Sequence, residues 1–473
     1  MLPIIDQYCK RKKINQIIFE KTPSNIFFKN NYYKNLFSKY DIFTLEDKLP
    51  FFLKKKILRY LYVLPKAIIF IFNFNQKKIL KTNSWTKMQF LHAVWDTAVN
   101  LTKSSDSFID ISFKNKLLSS VKNYETQMVA KLLIKNNLSA VFLNHSVYFY
   151  RTLLSEFRRR KNIQVFIQAN FTIYRQSIKH DNNESILDNK ILSFLKKNIS
   201  LNTINKYWQN RLNGKSTYQL ANDASKTKIK INKDKIPKNI LMLHIFKDSP
   251  FGLIDKKRIF SDYVDWLNFT LKIISKSNET WGIKFHPSAS RWGENSHKIF
   301  NEFINKNFNS IIPKNFILIN NEFSNYEIFK NTNRLVTFWG TCHIEAASFG
   351  LKPIIIRDVQ LNKYKSTLAF KPKNLKEYRI QLLTKKIGLF RLNKQQISDS
   401  LFLLYVRENV LNFINDINQH WVLRGDKNEY INKNLNKTIK NILSYDSFLR
   451  QNGELLSKNF THTLAKKYIK YFS

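Results

Sequence analysis

Residues 239–356 alternate short apolar runs with stretches whose apolar positions recur at helical spacing. Asn239-Ile-Leu-Met-Leu-His-Ile-Phe246, Trp281-Gly-Ile-Lys-Phe285, Phe316-Ile-Leu-Ile319, Arg334-Leu-Val-Thr-Phe338 and Ile354-Ile-Ile356 have the length and residue types of buried strands. Helical patterns lie between them at 258–275, 297–304, 326–329 and 344–349. Strands separated by helices of this length predict βαβ units and a parallel sheet, whose ligands gather at the carboxyl ends of the strands. Further forward, Met88, Leu91, Val94, Trp95 and Val99 mark a helix over 85–101 with Asp96 on an adjoining face, and a second helix is expected over 124–136. Ala140-Val-Phe-Leu143 reads as a strand ending at Asn144-His145-Ser146, and a helix follows through Leu153, Leu154 and Phe157. Ile163-Gln-Val-Phe-Ile167 then reads as the next parallel strand, giving the front half a βαβ unit of its own. The apolar segment 61–74 contains Pro65 and Lys66 and is expected to be a buried strand or helix. Residues 212–238, rich in lysine, read as a linker, and the chain beyond Asp358 turns helical.

Polar residues at the strand ends supply the candidate chemistry. His286 and Pro287 end the second rear strand, while Thr337, Gly340 and Thr341 stand at the end of the fourth, where a helix begins. A glycine admits close backbone approach, hydroxyls donate, and the first turn of a helix offers unpaired N–H groups, so this loop is suited to a phosphate, with His286 adding a donor. Asp248 and Ser249 occupy the loop after the first rear strand, where a turn and helix cap is an equally good reading.

Lys284-Phe-His-Pro287, followed by Thr337-Phe-Trp-Gly-Thr341, Glu345 and Gly350-Leu-Lys-Pro353, resembles the carboxyl-terminal half of GT-B glycosyltransferases that build bacterial capsule and surface polysaccharides. The likeness is greatest to capsule Kdo transferases, extends more remotely to CDP-glycerol polymerases of teichoic acid synthesis, and covers residues 238–360. It implies an α/β fold of GT-B type, with two Rossmann-like domains facing a cleft and helices at the carboxyl end. The domains would span 1–235 for the acceptor, behind a basic amino-terminal extension, and 236–425 for the nucleotide-sugar, with a helical tail at 426–473. It further implies that His286, Thr337 and Thr341 meet the donor phosphate, that Glu345 meets the ribose, and that Asp248 and Ser249 line the cleft. His145 becomes the first candidate for the catalytic base and Asp96 the second.

Charge and composition add constraints. The net charge of +45 invites an anionic partner, but the lysine excess accompanies abundant Asn, Ile and Phe, as AT-rich coding would produce, and leaves both origins open. Two cysteines, Cys9 and Cys342, cannot frame a disulfide-rich domain and suit a reducing cytoplasm. The apolar core of the 61–74 segment is too short to span a bilayer, although Lys54-Lys-Lys56 beside it suits peripheral contact with an anionic membrane face. Neither a signal-peptide pattern, an Asp-x-Asp pair nor clustered zinc ligands occur, so no metal and no cofactor is expected. The expectation is a metal-independent, cytoplasmic transferase at the inner membrane face. Its nucleotide-sugar donor, with a CMP-sugar as the candidate, would serve a glycan or lipid-linked glycan acceptor. The alternatives are a CDP-polyol phosphotransferase of the teichoic-acid type and a non-enzymatic nucleic-acid-binding protein. No RRM, KH or helix-turn-helix signature supports the latter, and no specific nucleic acid is expected.

Overall fold

The computed structural model describes residues 9, 13–19, 38, 40–73, 85–103, 106–136, 138–143, 148–158, 160, 163–169, 172–176, 196–197, 199–215, 236–247, 259–287, 289–320, 323–356 and 368–406. The first described strands are β1 (Gln16–Phe19) and β2 (Asp41–Thr44), which pair in parallel, a pairing that the sequence pattern did not signal. Three helices follow: α1 (Lys56–Phe72), α2 (Trp85–Leu101) and α3 (Phe113–Ile134). The segment 61–74 therefore falls largely within α1 but is not buried as expected, since Leu61, Tyr62, Ile69 and Phe72 are exposed, whereas α2 has the bounds its apolar spacing predicts.

Helix α3 begins eleven residues before the expected start at 124, because its first turns bury polar residues. Ser112 caps it, and Asn115, Ser119, Ser120 and Asn123 are buried against neighbouring helices, so no apolar stripe marks them. Next come β3 (Ala140–Leu143), α4 (Phe149–Arg158), β4 (Gln164–Ala169), β5 (Thr172–Gln176) and α5 (Leu201–Leu212). As expected, β3 and β4 are parallel, but β4 turns into an antiparallel partner, β5. Among the described residues the front half thus has one βαβ unit within a three-stranded mixed sheet.

The rear half is a doubly wound parallel sheet. Its elements are β6 (Asn239–Met242), α6 (Tyr263–Ile274), β7 (Trp281–Lys284), α7 (Ser296–Phe308), β8 (Phe316–Ile319), α8 (Asn325–Asn331), β9 (Arg334–Thr337), α9 (Cys342–Ser348) and β10 (Ile354–Ile355). The strand order is β10-β9-β6-β7-β8, every pairing parallel. All four residues of β6, β7 and β9 are buried, as they must be when helices cover both faces of a parallel sheet. Leu241 and Ile283 point into the core formed with α6 and α7, whereas Ile240 and Met242 point toward α8 and α9. The chain winds outward from β6 in one direction and then returns to start again at β9 on its other side. The crevice between the carboxyl ends of β6 and β9 is the place where such sheets bind ligands.

Helices α10 (Leu375–Leu383), α11 (Lys385–Leu389) and α12 (Lys394–Tyr405) complete the described chain. Phe402, Leu403 and Leu404 of α12 join one core with Leu154 and Phe157 of α4, Ile204 of α5 and Ile344 of α9. A second contact between the halves carries Trp95, Ala98 and Val99 of α2 and Phe108 onto the core under α6 and α7. No helix among the described residues is long and apolar enough to cross a membrane.

Candidate active site at the carboxyl ends of the parallel strands

Two imidazoles meet at the switch in strand order. His244 follows β6 and His286 follows β7, their ring centroids 6.0 Å apart. The His244 ring stacks on Trp339 from the β9 loop at 5.0 Å and 26°. Its Nδ1 lies 2.9 Å from the carbonyl of Ile245, which can only accept, so Nδ1 carries the proton. Tyr263 Oη donates to the His244 carbonyl at 3.3 Å and fixes the backbone of the loop from below. The imidazole of His286 is held neutral: burial, then the proximity of His244 and of the Lys284 ammonium, pushes it down to about 3. Lys284 itself, desolvated within β7, is pushed down to about 8, and its Nζ donates to the Phe323 carbonyl at 3.1 Å.

The β9 loop is shaped by its own side chains. The buried Thr337 hydroxyl donates to the Trp339 carbonyl at 3.2 Å and receives the Cys342 thiol at 3.7 Å, so it serves the turn. Burial, with the Glu345 charge adding to it, pushes that thiol up to about 12. Gly340 has φ +121°, a conformation that side-chain-bearing residues rarely adopt, and its carbonyl accepts from His343 Nδ1. Thr341 precedes α9 as its cap residue with its side chain uninvolved in capping, and it keeps part of its surface open beside Gly340. The turn at His286-Pro287 is closed by Ala289 N–H donating to the His286 carbonyl at 3.1 Å, and Pro287 is exposed.

Glu345 has a different environment from the one expected of a ribose ligand. Its carboxylate accepts from Arg211 of α5, and both side chains are almost wholly buried. The pair ties the front half to the helix that starts at Thr341. Asp96 likewise lies inside the helix layer, 1% exposed, with Arg151 of α4 at 3.8 Å. Desolvation lowers Arg151 to about 10 against the opposing pull of Asp96, the signature of a charge held in a dry interior. A base must reach an acceptor hydroxyl, and this carboxylate faces a guanidinium between packed helices. His145, Asp248 and Ser249 lie outside the described residues. Among the described residues nearby, Tyr148 Oη donates to the Lys247 carbonyl at 2.7 Å.

Two site residues had no prediction from sequence. His244 was read only as part of a strand, and its signal was a lone imidazole near the end of an otherwise apolar run. Glu294 sits buried under the Lys247 loop, where Oε2 accepts from the Lys247 N–H at 3.0 Å and Oε1 accepts from Ser296 at 3.2 Å. Burial outweighs these bonds and raises its carboxyl to about 7. Comparison with protein-family models and with curated proteins yields no match.

Proposed function

We propose that the protein is a GT-B-type glycosyltransferase that moves a sugar from a nucleotide-activated donor, a CMP-sugar first among the candidates, to a surface or capsular polysaccharide acceptor. The observation that carries this reading is the convergence of His244, His286, Gly340 and Thr341 at the carboxyl ends of β6, β7 and β9, where the strand order reverses. In this reading the donor phosphate lies over Gly340, whose missing side chain admits close backbone approach. The Thr341 hydroxyl and one N–H of the neutral His286 ring donate to it. Lys284 supplies positive charge behind the imidazoles, and Trp339 with His244 forms an aromatic wall for the donor. Protein donors in a dry crevice stabilise the departing phosphate without a divalent ion in this scheme. The acceptor enters from the side of Tyr148, and His145, three positions before it, takes the acceptor proton. Glu345 acts through its Arg211 pair by holding α9 in place. The resemblance of residues 238–360 to capsule transferases supports the same assignment, and in this reading the enzyme works peripherally at the inner membrane face.

The test is thermal unfolding of the full chain with CMP, CDP, UDP, GDP and their sugar conjugates, alongside His286→Ala and Gly340→Ala. One nucleotide is expected to stabilise the parent protein by about 2 to 3 kcal/mol at a hundredfold excess over its Kd. Both variants should lose that gain. If every nucleotide is silent while RNA or DNA gives a shift that vanishes with added salt, the transferase reading fails. Finding phosphorus in the transferred group would instead assign polyol-phosphate transfer at the same site.

A further inference from the structure

Helix α1 is packed on one side and apolar on the other. Arg59, Val63 and Ala67, spaced by four, form its buried side against Val121 of α3. Arg59 Nε donates to Glu125 at 2.7 Å, and its Nη1 reaches the carbonyls of Leu53 and Lys54 at 2.9 and 2.7 Å, which fixes the rotation of the helix on α3. The opposite side carries Ile57, Leu58, Leu61, Tyr62, Ile69 and Phe72, exposed by 40 to 76%. At 3.6 residues per turn these six fall on one stripe. The preceding turn adds Phe51, 89% exposed, and Phe52, 58% exposed. Phe113 of α3, also exposed, continues the stripe beyond Phe72 at a ring separation of 6.1 Å.

Single exposed apolar residues are ordinary, but a continuous helix face of them is not. Its charges are all of one sign: Lys54, Lys55 and Lys56 stand at the end of the stripe, Lys66 flanks it, and 51–72 contains no acidic residue. With 17 residues, α1 is about 26 Å long, and its Lys56, Arg59 and Lys66 disqualify it as a span. A basic amphipathic helix whose apolar side faces outward has the chemistry of an in-plane membrane anchor, with rings and aliphatic side chains in the acyl boundary and lysines among anionic headgroups.

We propose that the outward face of α1, with the Phe51-Phe52 turn, docks on an anionic lipid bilayer. The assignment gives the peripheral position in the transferase reading a definite surface, and it is tested without reference to the donor site. The full chain is sedimented with vesicles of phosphatidylcholine, alone or mixed with phosphatidylglycerol. The parent protein should bind the mixed vesicles and not the neutral ones. The pairs Leu61→Asp with Ile69→Asp, and Lys54→Glu with Lys55→Glu, should each weaken binding about tenfold or more. Nucleotide-dependent melting should be unchanged in both, so loss of lipid binding and loss of the donor site are read separately. If the aspartate pair unfolds the protein, Leu61→Ser with Ile69→Ser provides the same comparison. Undiminished vesicle binding by a folded variant would overturn the assignment. So would a dimer of the parent that the variants convert to a monomer, since the face would then belong to a second copy.

Discussion

Both halves of the molecule bury polar side chains, but they distribute them differently. In the front helices the polar residues lie along the helix contacts: Arg59 with Glu125, Asp96 facing Arg151, Thr152 donating to Asn123, and Gln127 donating to Glu156. Each such pair joins two helices at one register. In the rear sheet the interior between α6 and α7 is aliphatic and aromatic, with Trp266, Trp281, Phe300 and Phe303 fully buried. Thr270 and Trp266 bond the Tyr378 hydroxyl within it, and other polar groups lie at the two ends of the strands. At the amino end Arg334 pairs with Glu279 and donates to the Thr384 carbonyl at 2.7 Å, which closes off the base of the sheet. At the carboxyl end Lys284, His286 and Glu294 have displaced pKa values, and the His244 ring stacks on Trp339. The difference teaches that burial of a charge marks architecture where it pairs across an element boundary. It marks a candidate site where several shifted groups share the open end of a sheet.

Breaking a front pair gives the largest expected effect. Asp96→Ala leaves Arg151 buried without its carboxylate and should cost about 3 to 5 kcal/mol in urea unfolding, whereas Asp96→Leu combined with Arg151→Met should recover most of it. A small stability loss accompanied by abolished sugar transfer would return Asp96 to the role of base.

The rear cluster predicts a pH signature of intermediate size. Glu294, raised to about 7 from 4.5, keeps a proton that the unfolded chain releases, so its stabilising contribution is lost as pH rises through that window. His286, lowered to about 3 from 6.5, refuses a proton that the unfolded chain takes, so its contribution is lost as pH falls from 6.5. The slopes oppose each other between pH 4.5 and 6.5. Glu294→Gln should leave the histidine unopposed, and the variant's stability relative to the parent should climb by about 2 to 3 kcal/mol across that interval. A flat difference would mean that burial does not raise the Glu294 carboxyl.

The smallest effect concerns packing within the rear sheet itself. A Cβ on Gly282 would lie 2.5 Å from Ile319 Cδ1 and 2.7 Å from Ile240 Cδ1, both ends of flexible side chains. Gly282→Ala should therefore cost about 1 to 2 kcal/mol in chemical denaturation. A neutral result would show that the Ile240 and Ile319 side chains shift aside without cost.

The rear sheet was legible because both signals agreed there: apolar runs of strand length and helices at helical period, punctuated at His286-Pro287 and Gly340. Helix α3 was half hidden for the converse reason, since burying Asn115, Ser119 and Asn123 against other helices removes the periodicity that announces a helix. The β1–β2 pair and β5 are short strands whose pairing the local pattern does not encode. Of the candidate residues, His286, Gly340 and Thr341 are gathered at one crevice. Asp96 and Glu345 are not free at its surface, because each faces an arginine contributed by another element, Arg151 and Arg211. Pairings between distant helices leave no local trace, so a carboxylate read as chemistry can turn out to be a brace.

The strand order also sets a schedule for folding. β6, the centre of the rear sheet, pairs through Asn239 with Trp281 of β7 on one side and with Arg334 of β9 on the other, 42 and 95 positions later in the chain (281 − 239 and 334 − 239). The strand made first thus waits longest for its second edge, with an Ile-Leu-Met run open until β9 arrives. Non-local pairing of this kind slows folding and prolongs exposure of an adhesive edge. The nascent chain is most vulnerable to association with its neighbours while 242–334 is being synthesised, well before the crevice at β6 and β9 exists.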